Sequence, residues 1–86
     1  MQMSRRLSEN DYLALKAGYK FAVQAVIDGE RVTIAEIKYS IKKASYGVKT
    51  MQNNKIKACD KNAIERLIRA IEAKYGRYVF VITKRL

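Results

Sequence analysis

Lysines and tyrosines crowd one stretch of this chain. Lys38, Tyr39, Lys42, Lys43 and Tyr46 fall close together, and Lys49, Lys55 and Lys57 follow. Ammonium groups attract phosphates, and a tyrosine ring offers a surface on which a nucleobase stacks. Residues 38–57 hold six lysines and no carboxylate, so the local field is positive throughout. That pattern suits holding a polyanion rather than making or breaking bonds. Lysines also serve simply to keep a small domain in solution. Here 18 basic side chains stand against 8 acidic ones, a net charge of +10, and the balance tips toward binding.

Residues for catalysis are scarce. The chain has no histidine and one cysteine, so there is no imidazole base, no intrachain disulfide and no cysteine–histidine metal cluster. The carboxylates Glu9, Asp11, Asp60, Glu65 and Glu72 fall at expected helix starts or at ion-pair spacings, which are structural uses. Asp28 and Glu30, beside Arg31, imitate an acid pair of a metal-dependent nuclease, but such chemistry gathers ligands from several places. Cys59 has Lys57 and Lys61 as neighbours, whose charges favour a thiolate; without a base beside it, it reads as a small residue at a helix start. No glycine-rich phosphate loop is present. The expectation is a non-enzyme with no cofactor and no metal.

The elements that position these residues follow from periodicity and caps. Ser8 or Asn10 can cap a first helix running to Asp28, with Glu9 and Asp11 at its positive end. Lys16, Lys20, Gln24 and Asp28 form its polar stripe, and Leu15, Phe21, Ala22, Val23 and Val26 cover the rest. Thr33 followed by Glu36 has the spacing of a capping box. It opens a second helix in which Ile34, Ile37, Ile41 and Ala44 recur, ending at Gly47. A strand competes here, because Ala35, Ile37, Tyr39 and Ile41 also alternate; the cap favours the helix. Thr33-Ile34-Ala35-Glu36-Ile37 resembles the opening of the second helix in helix-turn-helix proteins. The likeness ends at Lys38, where that family has a small residue, and at Lys42, where it has glycine, so no recognition-helix role is carried over.

Residues 48–59 read as a loop or small hairpin around Gln52-Asn53-Asn54. Asp60 caps a third helix, 61–75, with Ile64, Leu67, Ile68, Ile71 and Tyr75 on one face. Residues 77–84 are β-branched and aromatic, and predict a strand. The expected fold is a single α+β domain over 1–86, in the order α-α-β-α-β. Its core is Leu15, Phe21, Ala22, Val26, Ile34, Ile37 and Ile41 from the first half, and Ile64, Leu67, Ile68, Ile71, Val79 and Val81 from the second. A winged, otherwise helical domain is the nearest alternative.

In that fold Lys38, Lys42 and Lys43 point away from the isoleucines, with Tyr39 and Tyr46 beside them. Arg5, Arg6, Lys84 and Arg85 lie at the termini and read as solvated ends. The expected function is a nucleic-acid-binding module, for DNA or RNA, acting through Lys38, Tyr39, Lys42, Lys43, Tyr46, Lys49, Lys55 and Lys57. The alternative is a small inhibitor or adaptor, of the kind viruses and plasmids encode, docking on an acidic protein. A second copy pairing along the terminal strand's edge is a further expected partner. Neither a signal peptide nor an apolar run near the ~20 residues of a membrane span is readable. The expected setting is cytoplasmic.

Overall fold

The computed structural model describes residues 7–84. Its elements are α1 (Glu9–Lys16), β1 (Tyr19–Ile27), β2 (Glu30–Ser40), β3 (Ser45–Thr50), β4 (Asn53–Cys59), α2 (Lys61–Tyr75) and β5 (Tyr78–Lys84). The five strands form one antiparallel sheet in the order β4-β3-β2-β1-β5. Four strands follow one another as a meander, and β5 returns beside β1 after α2.

The turn between β1 and β2 sets the arrangement. Asp28 and Gly29 both have positive φ, 52° and 81°. Two left-handed residues in a two-residue loop make the tight turn whose twist matches that of the strands it joins, and Asp-Gly is a preferred pair for it. From there β1 zips onto β2, Ile27 opposite Glu30 and Phe21 opposite Ile37. The register slips once between Val23 and Gln24, where Ile34 is the extra residue of a bulge. The Ile34 carbonyl accepts from the Met51 amide at 2.8 Å, so the bulge leaves that group satisfied.

Both helices are capped as their sequences imply. The Ser8 hydroxyl accepts from the Asp11 amide while the Asp11 carboxylate accepts from the Ser8 amide. The Asp60 carboxylate accepts from the Ala63 amide at 2.8 Å, an N-cap that contributes about 1 kcal/mol. Ile64, Ile68 and Ile71 of α2 are buried, each contributing roughly 1.5–3 kcal/mol of burial. They meet Phe21, Val23 and Ala25 of β1, Ala35 and Ile37 of β2, and Leu7, Tyr12 and Leu15 from the α1 region in one core. That core lies between the two helices and one face of the sheet. Among the described residues, no helix is long and apolar enough to cross a membrane.

This is not the α-α-β-α-β arrangement. The first helix ends at Lys16 rather than Asp28, and Tyr19–Ile27 is strand. The second helix is absent; Thr33–Ser40 lies in β2 and Ser45 opens β3. The Thr33–Glu36 spacing is no cap. Thr33 accepts instead from the Gln24 side chain at 3.1 Å, and Glu36 pairs with Lys20 at 3.4 Å. Alternation wins because an antiparallel sheet with one covered face buries every second residue. It follows that Ala22, Val26 (60% exposed), Val79 (41%) and Val81 (37%) face away from the core, while Ile41 (77%) lies past the end of β2 in the turn. The expected hairpin, third helix and terminal strand do form, as β3–β4, α2 and β5.

Gly47 of β3 stands close beneath Ile56 on the uncovered face. A Cβ on it would stand 2.8 Å from Ile56 Cγ2 on β4. Gly47→Ala forces the half-exposed Ile56 side chain to turn aside, a strain of about 0.5–1.5 kcal/mol, whereas Ile56→Ala removes the methyl that it meets. In urea denaturation the double variant should then be more stable than the sum of the two single effects implies. Simple additivity would show that Gly47 is not chosen for this contact.

Candidate nucleic-acid interface

The helices cover one face of the sheet and leave the other uncovered. Alternation puts Lys20, Ala22, Gln24 and Val26 of β1 on the uncovered face. Arg31, Thr33, Glu36 and Lys38 of β2 are there too, since Ala22 stands opposite Glu36 and Val26 opposite Arg31. On β3 the same side carries Gly47, opposite Lys38, and Lys49, opposite Glu36. Lys20, Lys38 and Lys49 thus come from three adjacent strands to line one depression, with Glu36 among them. The Lys20–Glu36 pair is partly exposed and contributes at most about 1 kcal/mol. Three ammonium groups against one carboxylate leave the depression positive.

Lys42 and Lys43 sit at the tip of the β2–β3 hairpin, both exposed. The tip turns on Ala44, with φ of 51°. The Lys43 amide donates to the Ser40 hydroxyl at 3.2 Å, and the Ala44 amide to the Ile41 carbonyl at 3.2 Å. Lys38, Lys42 and Lys43 line a groove of about 400 Å³ that also contains Ile41, Gly47, Ile56 and Ala58. Lys38, Gly47 and Ile56 border both this groove and the depression. The two therefore form one continuous track.

Tyr39 and Tyr46 border this groove as well, while Lys55 and Lys57 lie apart from it. Tyr39 and Tyr46 stand opposite one another on β2 and β3, on the side facing α1. Tyr46 is buried in an edge-to-face row, 5.6 Å from Tyr12 and 5.1 Å from Tyr39. Its hydroxyl has no hydrogen-bond partner among the described residues. Tyr39 is half-buried, with Lys16 Nζ 5.8 Å from its ring centre. Tyr46 is thus a core ring rather than a stacking platform. Lys55 and Lys57 lie on β4 toward the helices, lining a second groove with Cys59 and Leu67. Along this track the structure brings together Lys38, Tyr39, Lys42, Lys43, Tyr46 and Lys49 from the expected set, and adds Lys20, Ile41 and Ile56. The added residues carry a signal only under a strand reading, in which Lys20, Arg31 and Lys38 fall on one face.

Of the terminal basic residues, Lys84 ends β5 opposite Tyr19, and Arg5, Arg6 and Arg85 lie outside the described residues. Burial, and then the adjacent Asp60 carboxylate, push the Cys59 thiol up, opposite to what its lysine neighbours imply. No family model matches this chain, and neither a curated protein nor a solved structure does.

The tyrosine row has a consequence at high pH. Burial raises the Tyr12 phenol above its ordinary 10, and so does its 2.6 Å hydrogen bond to the Glu65 carboxylate. Burial raises Tyr46 as well. Below about pH 10 these phenols are neutral whether the chain is folded or not. Above it they ionise first in the unfolded chain, so stability falls as pH rises. Tyr12→Phe should lose about 1 kcal/mol at neutral pH, yet its urea midpoint should drop less than the parent's between about pH 9 and 11. Equal drops would remove Tyr12 as a source of alkaline sensitivity.

Proposed function

We propose that this chain is a non-enzymatic nucleic-acid-binding module that works through the uncovered sheet face and the β2–β3 tip. The observation that carries this is the convergence of Lys20, Lys38 and Lys49 on one depression continuous with the groove beside Lys42 and Lys43. A helix face is not involved. The sheet holds the lysines in fixed register, and a phosphate backbone laid across the strands meets a charge on each. The carboxylates support the same reading by their distribution. Glu9, Asp11, Glu65 and Glu72 are on the helices, whereas the depression on the sheet holds Glu36 alone against Lys20, Lys38 and Lys49. A single thiol suits a cytoplasmic setting.

A mobility-shift titration of DNA and RNA at two salt concentrations tests this. Affinity should fall steeply with salt. Replacing Lys38, Lys42 and Lys43 with glutamine should lower the salt slope by about one unit for each phosphate that is no longer neutralised. Replacing Arg66 and Arg69, exposed on α2, should change it little. Absence of any shift at low salt would leave an acidic protein surface as the partner. An effect confined to the α2 variant would move the site to the helices.

A second copy is proposed as a further partner, on a separate observation. β5 is an edge strand seven residues long, pairs with β1 without a bulge, and exposes Val79, Val81 and Ile82. Long apolar edges without protection invite pairing with another strand. The other edge, β4, has a register shift and two exposed lysines, both protective devices. Sedimentation should show a dimer whose fraction rises with concentration, and lysine at Val79 and Val81 should leave a folded monomer. A parent that stays a monomer of 9.9 kDa at every concentration would remove the second copy.

A further inference from the structure

The groove at the hairpin tip narrows the class of nucleic acid. Its volume of about 400 Å³ lies within the range of small-ligand sites, roughly 300–1,000 Å³. Its apolar part is unusual for a surface so basic. Ile41 is 77% exposed and Ile56 is 51% exposed, and Gly47 of β3 and Ala58 of β4 stand opposite one another. Gly47 gives the floor its shape. Because it has no Cβ, Ile56 lies down across β3, its Cγ2 only 2.8 Å from where a Cβ would stand. Lys38, Lys42 and Lys43 stand around this apolar surface, and no carboxylate lines the groove.

A ligand that satisfies this groove needs a flat apolar surface and negative charge on the same unit. A nucleotide has both. In a duplex the base faces are stacked and paired, and freeing one costs energy. A single strand presents them already unstacked, and stacking on side chains is its usual mode of capture. The lysines also continue beyond the groove. Lys49 and Lys20 extend the positive track across strands spaced about 4.8 Å apart, which matches a chain of repeating charges better than a single anionic group.

We infer that the groove between Ile41 and Ile56 seats one unstacked nucleobase, with flanking phosphates on Lys38, Lys42 and Lys43, so that the chain prefers single-stranded to double-stranded nucleic acid. This rests on the nucleic-acid reading of the same face. Specificity for a particular base is not part of the inference, because the groove offers apolar surface and lysines rather than a fixed set of donors and acceptors.

Fluorescence anisotropy separates the two readings. The probes are an oligothymidine single strand of about 12 nucleotides, within the span small single-strand-binding folds cover, and its duplex with oligoadenosine. The single strand should bind about tenfold more tightly at the same salt. Ile41→Ser, a change at an exposed tip that leaves the circular dichroism and melting curve unchanged, should weaken single-strand binding about fivefold or more without altering the salt slope, as removal of base stacking does. It should leave duplex binding where it was. Lys42→Gln with Lys43→Gln should instead lower the salt slope for both probes. A duplex that binds as tightly as the single strand, or an Ile41→Ser variant that binds the single strand like the parent, overturns the inference and leaves the nucleic-acid reading standing. Failure of both probes to bind at low salt overturns both. Capture of phosphatidylserine vesicles, abolished in Ile41→Ser and unaccompanied by single-strand binding, would assign the tip to a lipid surface and overturn the inference as well.

Discussion

Phe21, Val23 and Ala25 are sealed from solvent while Ala22, Gln24 and Val26 between them are not, and the rest of the molecule follows from the two sides of this one strand. β1 is the strand with a long partner on each flank, β2 and β5, so its apolar side must be roofed if the sheet is to be stable. Two helices of eight and fifteen residues suffice to roof one face of five strands. They are too few to roof both. The second face is left to water by arithmetic of surface, and its side chains are free to be selected for something other than packing. Lys20, Lys38 and Lys49 stand on that face, on three adjacent strands.

Charge is partitioned along the same line. The acids on the helices have local tasks there. Asp11 and Asp60 cap helix starts, Glu65 accepts the Tyr12 hydroxyl, and Glu9 lies 3.9 Å from Lys61. On the sheet, Glu36 has Lys20 beside it and Lys49 across the ladder. That single carboxylate relieves the repulsion that three neighbouring lysines would otherwise impose on folding, without cancelling the positive field.

How much of this is legible in the sequence depends on which signal is local. Asp60, the stripe Ile64-Leu67-Ile68-Ile71 and Gly76 all lie within one helix, and they specify α2 correctly because helical contacts are made between near neighbours. Residues 19–47 are different. Ile34, Ile37 and Ile41 satisfy a helical period, and Ala35, Ile37 and Tyr39 satisfy a strand period. The deciding contacts are made with β1, β3 and Met51, none of them local. A Thr–Glu spacing that resembles a cap adds weight to the wrong side. The decisive clue is Asp28-Gly29 between two alternating apolar runs, a hairpin signature stronger than Gly29 read as a helix end. The basic stretch is legible as composition, and Lys38, Lys42, Lys43 and Lys49 survive into one track. Its tyrosines border that track but turn their rings the other way, because on a strand Tyr39 and Tyr46 point opposite to Lys38 and Lys49.

That reversal has a physical use. The hairpin carrying Lys38, Lys42 and Lys43 is long, and a hairpin alone is barely stable in water. Tyr39 and Tyr46 clamp its inner side, with Tyr12 of α1 against Tyr46, and the Tyr12 hydroxyl ties the row to Glu65 of α2. The rings thereby fix the hairpin to both helices just below its tip, while the tip itself, 41–44, stands in solvent. A basic surface held this way is organised before any partner arrives, so less conformational entropy is given up on binding. The tyrosines brace the hairpin from beneath the sheet, as the support on which the lysines stand.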